Sequence, residues 1–358
     1  TGALSLTLMA TTAMAGGVER SNQSVAALFA DGNQITFSLG RVQPNVTGNL
    51  LANGSVSGDM GGDYTQGGFS AKMDIGEKLS FALIQDQPYG ASVDYTGATF
   101  VAAPPAPSSA LNYPFVGTTA TITSKSTTGI LRYSMDNGVS VYGGIRRTSI
   151  SAAAAITPVM YVLDSAEGSG GGYLAGVAYE MPEIALRVSL TYNSSIDMTM
   201  ATVENGGTNS STQISTPKSW HLEAQSGIAE NTLLFGSVRW VNWSAFSFSP
   251  TNYPANPLLS YSDDSYTYTL GVGRRLNENW SASVSARHES AKGGLGTNLS
   301  PTDGSTGVTL GARYEQDGFS ISGGLNYTWL GDTTTDTIGA TFANNYVVGA
   351  GLSVGYNF

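Results

Sequence analysis

From Gln34 to the end of the chain, bulky apolar residues alternate with small or polar ones at a period of two, as in strands whose two faces meet different surroundings. The stretch 345–358 shows this most plainly. One face carries Tyr346, Val348, Ala350, Leu352, Val354, Tyr356 and Phe358, and the other Asn345, Val347, Gly349, Gly351, Ser353, Gly355 and Asn357. Aromatics at the ends with aliphatics between them suit a strand that crosses a membrane and sets rings at both interfaces. Small residues opposite leave room for a lumen.

The same period predicts strands over 34–42, 64–75, 78–84, 120–135, 139–150, 172–181, 185–200, 218–228, 232–248, 265–276, 280–290, 306–314, 319–330 and 346–358. They are joined alternately by tight turns (76–77, 136–138, 182–184, 229–231, 277–279, 315–318) and by long stretches (43–63, 85–119, 151–171, 201–217, 249–264, 291–305, 331–345). The turns hold the Gly, Asn, Asp and Pro that such turns need. Strict segregation of short and long connections is the mark of an all-β, transmembrane, antiparallel up-and-down β-barrel, here of about fourteen strands, with both termini on the short-turn, periplasmic side.

Charge parity agrees. Leu186, Val188, Leu190, Tyr192 and Ile196 share one face of their segment and Arg187 the other. Val308, Leu310, Ala312 and Tyr314 oppose Arg313, and Phe319, Ile321, Leu325, Tyr327 and Trp329 oppose Ser320, Ser322, Asn326 and Thr328. A lipid-facing Arg at mid-bilayer costs about 2 to 4 kcal/mol, so Arg187, Arg239, Arg275, Arg287 and Arg313 are expected in the lumen.

Composition narrows the choice. Only 12% of the 358 residues are charged, and no run of 18 apolar residues could form a spanning helix. One closed sheet absorbs the length as a single domain, 34–358. The stretch 1–15 is apolar and ends Ala13-Met14-Ala15, as the remnant of a signal peptide would. Residues 16–33 form a short segment with a helical turn near 24–29, stopped by Asp31-Gly32. With no cysteine there is no thiol chemistry, and with a net charge of -10 and no basic cluster nucleic acid is not expected as a partner. The two histidines sit in no metal-binding pattern, so neither metal nor cofactor is expected.

The run SWHLEAQSGIAENTLLFGSVRWVNWSAF, ending at Phe246, resembles the FadL-type outer-membrane transporters of long-chain fatty acids and other hydrophobic compounds, and looks like that family's eighth hairpin region. Further likenesses are the start GGVERSNQSVAALF, the stretch NLSPTDG and the aromatic last strand. The resemblance implies a fourteen-stranded barrel plugged by an N-terminal hatch, here 16–33, which is shorter than the family's usual plug and lacks its Asn-Pro-Ala motif. It implies passive uptake of a hydrophobic molecule or fatty acid: capture by extracellular loops, passage into the lumen, and exit there or through a lateral opening in the wall. The surroundings it implies are outer-membrane lipid and lipopolysaccharide, and the protein is expected to be a monomer.

Candidate residues follow for each step. Phe100, Val101, Leu111, Tyr113 and Phe115, around Pro104-Pro105-Ala106-Pro107, and Met160, Tyr161, Val162 and Leu163 give two long loops apolar content that either captures ligand or packs loop on loop. Pro88, which removes a ladder donor, and Gly90, which permits a bulge, either part the wall or end a strand. Arg146, Arg147 or Arg239 either bind a carboxylate in the lumen or form internal pairs; Arg239 shares its face with Leu233, Phe235, Val241 and Trp243. Val25, Leu28 and Phe29 of the hatch either close the pocket or anchor the plug. Two rival functions are a general diffusion porin, whose lumen should be ringed by opposed charges, and an outer-membrane lipase using the His288-Glu289-Ser290 stretch. No catalytic residue is expected.

Overall fold

The computed structural model describes residues 17–51, 54–99 and 114–358. Fourteen long antiparallel strands follow one another around a closed sheet, and the first (Gln34–Asn45) pairs with both the second (Tyr64–Ile75) and the fourteenth (Tyr346–Asn357). The expected signal segment lies outside the described residues. So do loop candidates Phe100, Val101, Leu111 and Tyr113.

The alternation maps onto the two faces as the pattern predicts. Bulky outward residues stay uncovered: Ile145 is 77% and Leu352 54% exposed. On the inner face Arg239 is 3% exposed, Arg313 is buried, and Arg187 stacks on Phe29 at 4.8 Å. A surface this apolar on the outside and this polar within suits hydrocarbon around the barrel.

Several strands run further than their apolar pattern. The fifth is Val139–Ile156 and the sixth begins at Gly168 in Gly168–Met181. The expected long loop 201–217 is largely ladder, because the seventh strand resumes as Asp197–Glu204 and pairs with Thr208–Ser215. Polar Thr and Ser rows extend the sheet here where no hydrocarbon demands alternation.

A correction follows at the break in the seventh strand, between Leu186–Asn193 and Asp197–Glu204. Ile196 does not share the outer face of Tyr192; it is buried inside with Met198 and Met200. The interruption inverts the parity, and the eighth strand (Thr208–Ser215, then Ser219–Ala229) breaks opposite it. Ile196 N–H donates to Thr216 Oγ1 at 3.0 Å and Thr216 N–H to the Ile196 carbonyl at 2.9 Å, so the paired breaks leave no orphaned groups at this point.

Residues from Gly17 onward thread the lumen. Their one helical turn is the 3-10 helix Ala26–Phe29. Phe358 N–H reaches the Asn33 carbonyl at 3.0 Å, tying the base of this segment to the end of the last strand.

Candidate functional site

The third strand is where the wall gives way. Its lower half, Leu79–Asp86, pairs with the second strand only as far as Phe69 opposite Gln85. After Gln87-Pro88-Tyr89 it resumes as Gly90–Asp94, which pairs with the fourth strand (Thr119–Ser134) and, on its other edge, is bridged to Met60–Gly62 by Gly62 N–H to the Ser92 carbonyl at 3.1 Å and Asp94 N–H to the Met60 carbonyl at 3.0 Å. Main-chain groups that leave the ladder must find partners elsewhere. They find them inside: the Pro88 carbonyl accepts the N–H of Arg20 at 2.7 Å and of Ser21 at 3.3 Å, and Gly90 N–H donates to the Val18 carbonyl at 2.8 Å. Ser124 fills the remaining gap, accepting Tyr89 N–H at 2.8 Å and donating to the Tyr89 carbonyl at 2.6 Å. Gly90 is required by close approach, since a Cβ there would lie 2.5 Å from Arg20 Nε. Pro88 and Gly90 therefore stand at a local break in the pairing of the second and third strands.

The parting leaves a cleft of about 360 Å³ lined by Thr65, Gln87, Thr123, Lys125, Ser149 and others of the outer wall, with Arg20 and Tyr89 at its floor.

Behind the cleft lies a polar layer. Arg239 Nη2 donates to Glu19 Oε1 at 2.5 Å, and its Nε to the same oxygen at 3.1 Å. Gln23 Oε1 accepts from Nη2 at 3.3 Å. Ser21 Oγ donates to Asp86 Oδ2 at 2.5 Å. Arg146 is buried, donating to Thr128 Oγ1 at 2.8 Å and Asn193 Oδ1 at 2.9 Å. Arg147, as its strand neighbour, faces outward and bonds Ser169 Oγ at 2.9 Å, so it takes no part in the lumen. Of the three arginines suggested by the sequence, two are in the lumen and both are already held by protein.

Above this layer, toward the long loops, the interior is oily. Tyr161, Leu163, Ile196, Met198, Met200, Trp243 and Phe248 belong to one buried cluster, and Phe115 packs on Tyr95 in a second. Trp243 sits directly over Gly17, where a Cβ would be 2.3 Å away, whereas Phe235, four residues nearer the short turns than Arg239, lies below the layer over Gly271, where a Cβ would be 2.4 Å away. Met160 parts from this group, standing 89% exposed at the tip of its loop. Val162 also points outward. A cavity of about 30 Å³ among Ala91, Ala120, Ala152, Phe248 and Leu259 holds little more than a water-sized void, so a larger guest must part these side chains.

Below the polar layer, Val25, Leu28 and Phe29 pack on Ala82, Ile130, Tyr142, Leu174 and Ala178. Phe29 lies between the guanidiniums of Arg132 and Arg187, at 4.7 and 4.8 Å. Ser24 Oγ adds a bond to Glu223 Oε1 at 3.1 Å, and Lys72 Nζ one to the Gly32 carbonyl at 2.9 Å.

Glu19, Arg20, Ser124 and Lys125 were not singled out by the pattern. A signal for the first two existed: they are the only charged residues in 17–30, inside a chain where charge is scarce. His288 faces outward, with Nδ1 3.0 Å from Thr306 Oγ1, while Glu289 is buried within. The stretch therefore puts Glu289 on the opposite face from His288.

No family model matches the sequence, and no curated protein matches it. Solved structures do resemble the fold. A FadL homologue of Pseudomonas aeruginosa aligns with a TM-score of 0.74 at 14% identity, over 97% of this chain and 97% of that one. The Pseudomonas putida toluene transporter TodX aligns at 0.65 and 12%, over 97% and 96%. The Ralstonia pickettii toluene transporter TbuX aligns at 0.62 and 13%, over 100% and 98%. The architecture of this chain, from the lumenal segment at Gly17 to the last strand, is thus that of a FadL homologue and of two toluene transporters.

Proposed function

We propose that the protein is an outer-membrane channel for passive uptake of hydrophobic molecules, long-chain fatty acids or other apolar compounds, acting as a monomer without cofactor or catalysis. The observation that supports this reading is the break of the third strand from the second, where a cleft enters the wall beside a segment that plugs the barrel. The extracellular loops capture cargo through Phe100, Val101, Leu111 and Tyr113 and the exposed Met160, while Phe115, Tyr161 and Leu163 belong to the oily interior. Cargo moves past Trp243 and Phe235. Arg239 and Arg146 hold the polar layer together, and Arg239 keeps the hatch docked through Glu19. Val25, Leu28 and Phe29 seal the periplasmic side, which directs release through the opening at Pro88 and Gly90 into the outer leaflet. The likeness of fold to the toluene transporters TodX and TbuX supports the same reading.

A porin is disfavoured by the filled lumen, since buried apolar clusters occupy its upper part and the hatch its lower part. The test is uptake by cells lacking the gene and by the same cells complemented, using labelled hexadecanoate and labelled toluene. Complementation is expected to raise uptake of at least one several-fold. Equal uptake of both with and without the gene would refute the proposal.

A further inference from the structure

The rim of the barrel toward the long loops is built in two ways. On the sixth to eighth strands the outward apolar residues end in Tyr173, Tyr192 and Trp220, whose rings follow one another at 6.0 and 5.0 Å. The fourteenth strand likewise ends outward in Tyr346. Such aromatics mark the level where hydrocarbon meets head groups. On the first, third and fifth strands the last outward apolar residues are Leu39, Leu83 and Ile145, and the next outward positions are Arg41, Gln85 and Arg147. On the fourth, Leu131 and Gly129 give way to Thr127 and Lys125. Cations and hydroxyls stand here where rings stand elsewhere.

Of these cations Arg41 is answered by Asp63 at 2.9 Å. Lys125 and Arg147 are not: among the described residues no carboxylate forms an ion pair with either. Pairing sets Lys125 opposite Ser149 and Arg147 opposite Thr127, so the two are diagonal neighbours on the outer face, a spacing of about 7 to 8 Å. Arg147 Nη2 donates to Ser169 Oγ at 2.9 Å, and Ser149 and Ser169 continue the row that begins at Lys125. Glu167, just before the sixth strand, lines the adjoining cleft, and with it the group still carries one net positive charge. A guanidinium that can grip two oxygens beside an ammonium suits a phosphate. Water solvates exposed cations as well as a phosphate does, so the height decides: an anion anchored by acyl chains is held at the level just above the last apolar row.

We propose that Lys125 and Arg147 hold a sugar-linked phosphate of lipopolysaccharide against the outer wall of the fourth to sixth strands, with Thr127, Ser149 and Ser169 offering hydroxyls to the same head group. Lipopolysaccharide carries phosphate on the sugars that bear its acyl chains, which puts the charge one step above hydrocarbon, where the two cations stand. The gap in the aromatic rim is then a berth for one lipid. This rests on the outer-membrane placement proposed above and on nothing about cargo, since the lipid stays on the outer wall and does not enter the lumen.

The test is retention of tritiated lipopolysaccharide by the immobilised full chain in a neutral detergent, using the intact lipid and the same lipid stripped of phosphate. Intact lipid is expected to bind at least about tenfold tighter, the scale of a charge-assisted bond. Lys125→Gln and Arg147→Gln should each cut that preference at least about threefold, and the two together should abolish it. Both side chains are exposed on the outer wall, so neither variant empties a packed position. Lys218→Gln removes an exposed cation just beyond Trp220 and should change nothing. An equal loss there would reduce the effect to net charge and overturn the site. So would equal binding of the two lipids, or a preference that survives the double substitution. A wild-type dimer in sedimentation that retains no lipid and falls apart in the double variant also overturns it, because a second copy of the chain would then fill the gap. If the preference holds yet complemented cells take up neither hexadecanoate nor toluene, the lipid site stands and the uptake reading falls.

Discussion

Two seams of the barrel can be set side by side. Where the first strand meets the fourteenth, the register runs unbroken from Gln34 opposite Asn357 to Asn45 opposite Tyr346. Where the second meets the third, pairing ends at Phe69 opposite Gln85, although the second strand continues up to Tyr64, and the two sides join again only beyond it, at Gly61 opposite Val93. The first seam closes because each strand's partner is the other strand. The second opens because its main chain finds better-placed partners in Arg20, Ser21, Val18 and Ser124. A barrel wall can part without cost in orphaned groups only where something inside replaces the ladder. Here that replacement is the hatch, so opening and plugging are one structural event.

The largest test of this coupling is Arg239→Ala. It removes the guanidinium that faces the buried Glu19 carboxylate, and breaking such a pair costs about 3 to 5 kcal/mol. The hatch should undock, read as protease cleavage within 17–33 and a rise in planar-bilayer conductance. The closed seam is probed by Leu352→Arg, which puts a charge on its lipid face. A loss of about 2 to 4 kcal/mol in the urea unfolding of lipid-embedded protein is expected, without any change in conductance. Ser124→Ala acts on the open seam alone. It strands Tyr89 N–H and should cost about 1 to 3 kcal/mol, with faster amide exchange at Tyr89 and Gly90.

The smallest effect belongs to the loop after the ninth strand (Thr232–Val241). Burial raises the Asp264 carboxyl, but donors on Ser244, Asn242 and Trp240 outweigh that and hold it below its ordinary value. A depressed folded pKa contributes stability above the unfolded value of about 3.9. That contribution fades as pH falls through the folded value. Cleavage of this loop by an acid protease should therefore rise below about pH 4 in the wild type and be less pH-dependent in Asp264→Asn.

The strand count and the lumenal arginines were legible because period-two alternation reports which face meets hydrocarbon. That signal ends where hydrocarbon ends, so the polar ladder of Thr208–Ser215 and the inverted parity at Ile196 were not. Pro88 and Gly90 marked the break, as backbone chemistry does. Arg146 and Arg147 are neighbours on one strand, so only one of them can face the lumen. Glu19 and Arg239 lie 220 positions apart, and no local pattern joins residues that meet only when the lumen is threaded. The long loops stand out by their apolar composition, yet Tyr161 and Leu163 are interior and Met160 exterior, a division that depends on where the chain turns.

The route through the open seam is tested most directly by blocking it. The chain has no cysteine, so Thr123→Cys at the cleft and Thr306→Cys on the opposite outer wall each offer one thiol for a bulky maleimide. Modification at 123 should cut uptake of labelled hexadecanoate at least about tenfold and modification at 306 should leave it unchanged. Undiminished uptake with position 123 fully modified would contradict a path through the wall.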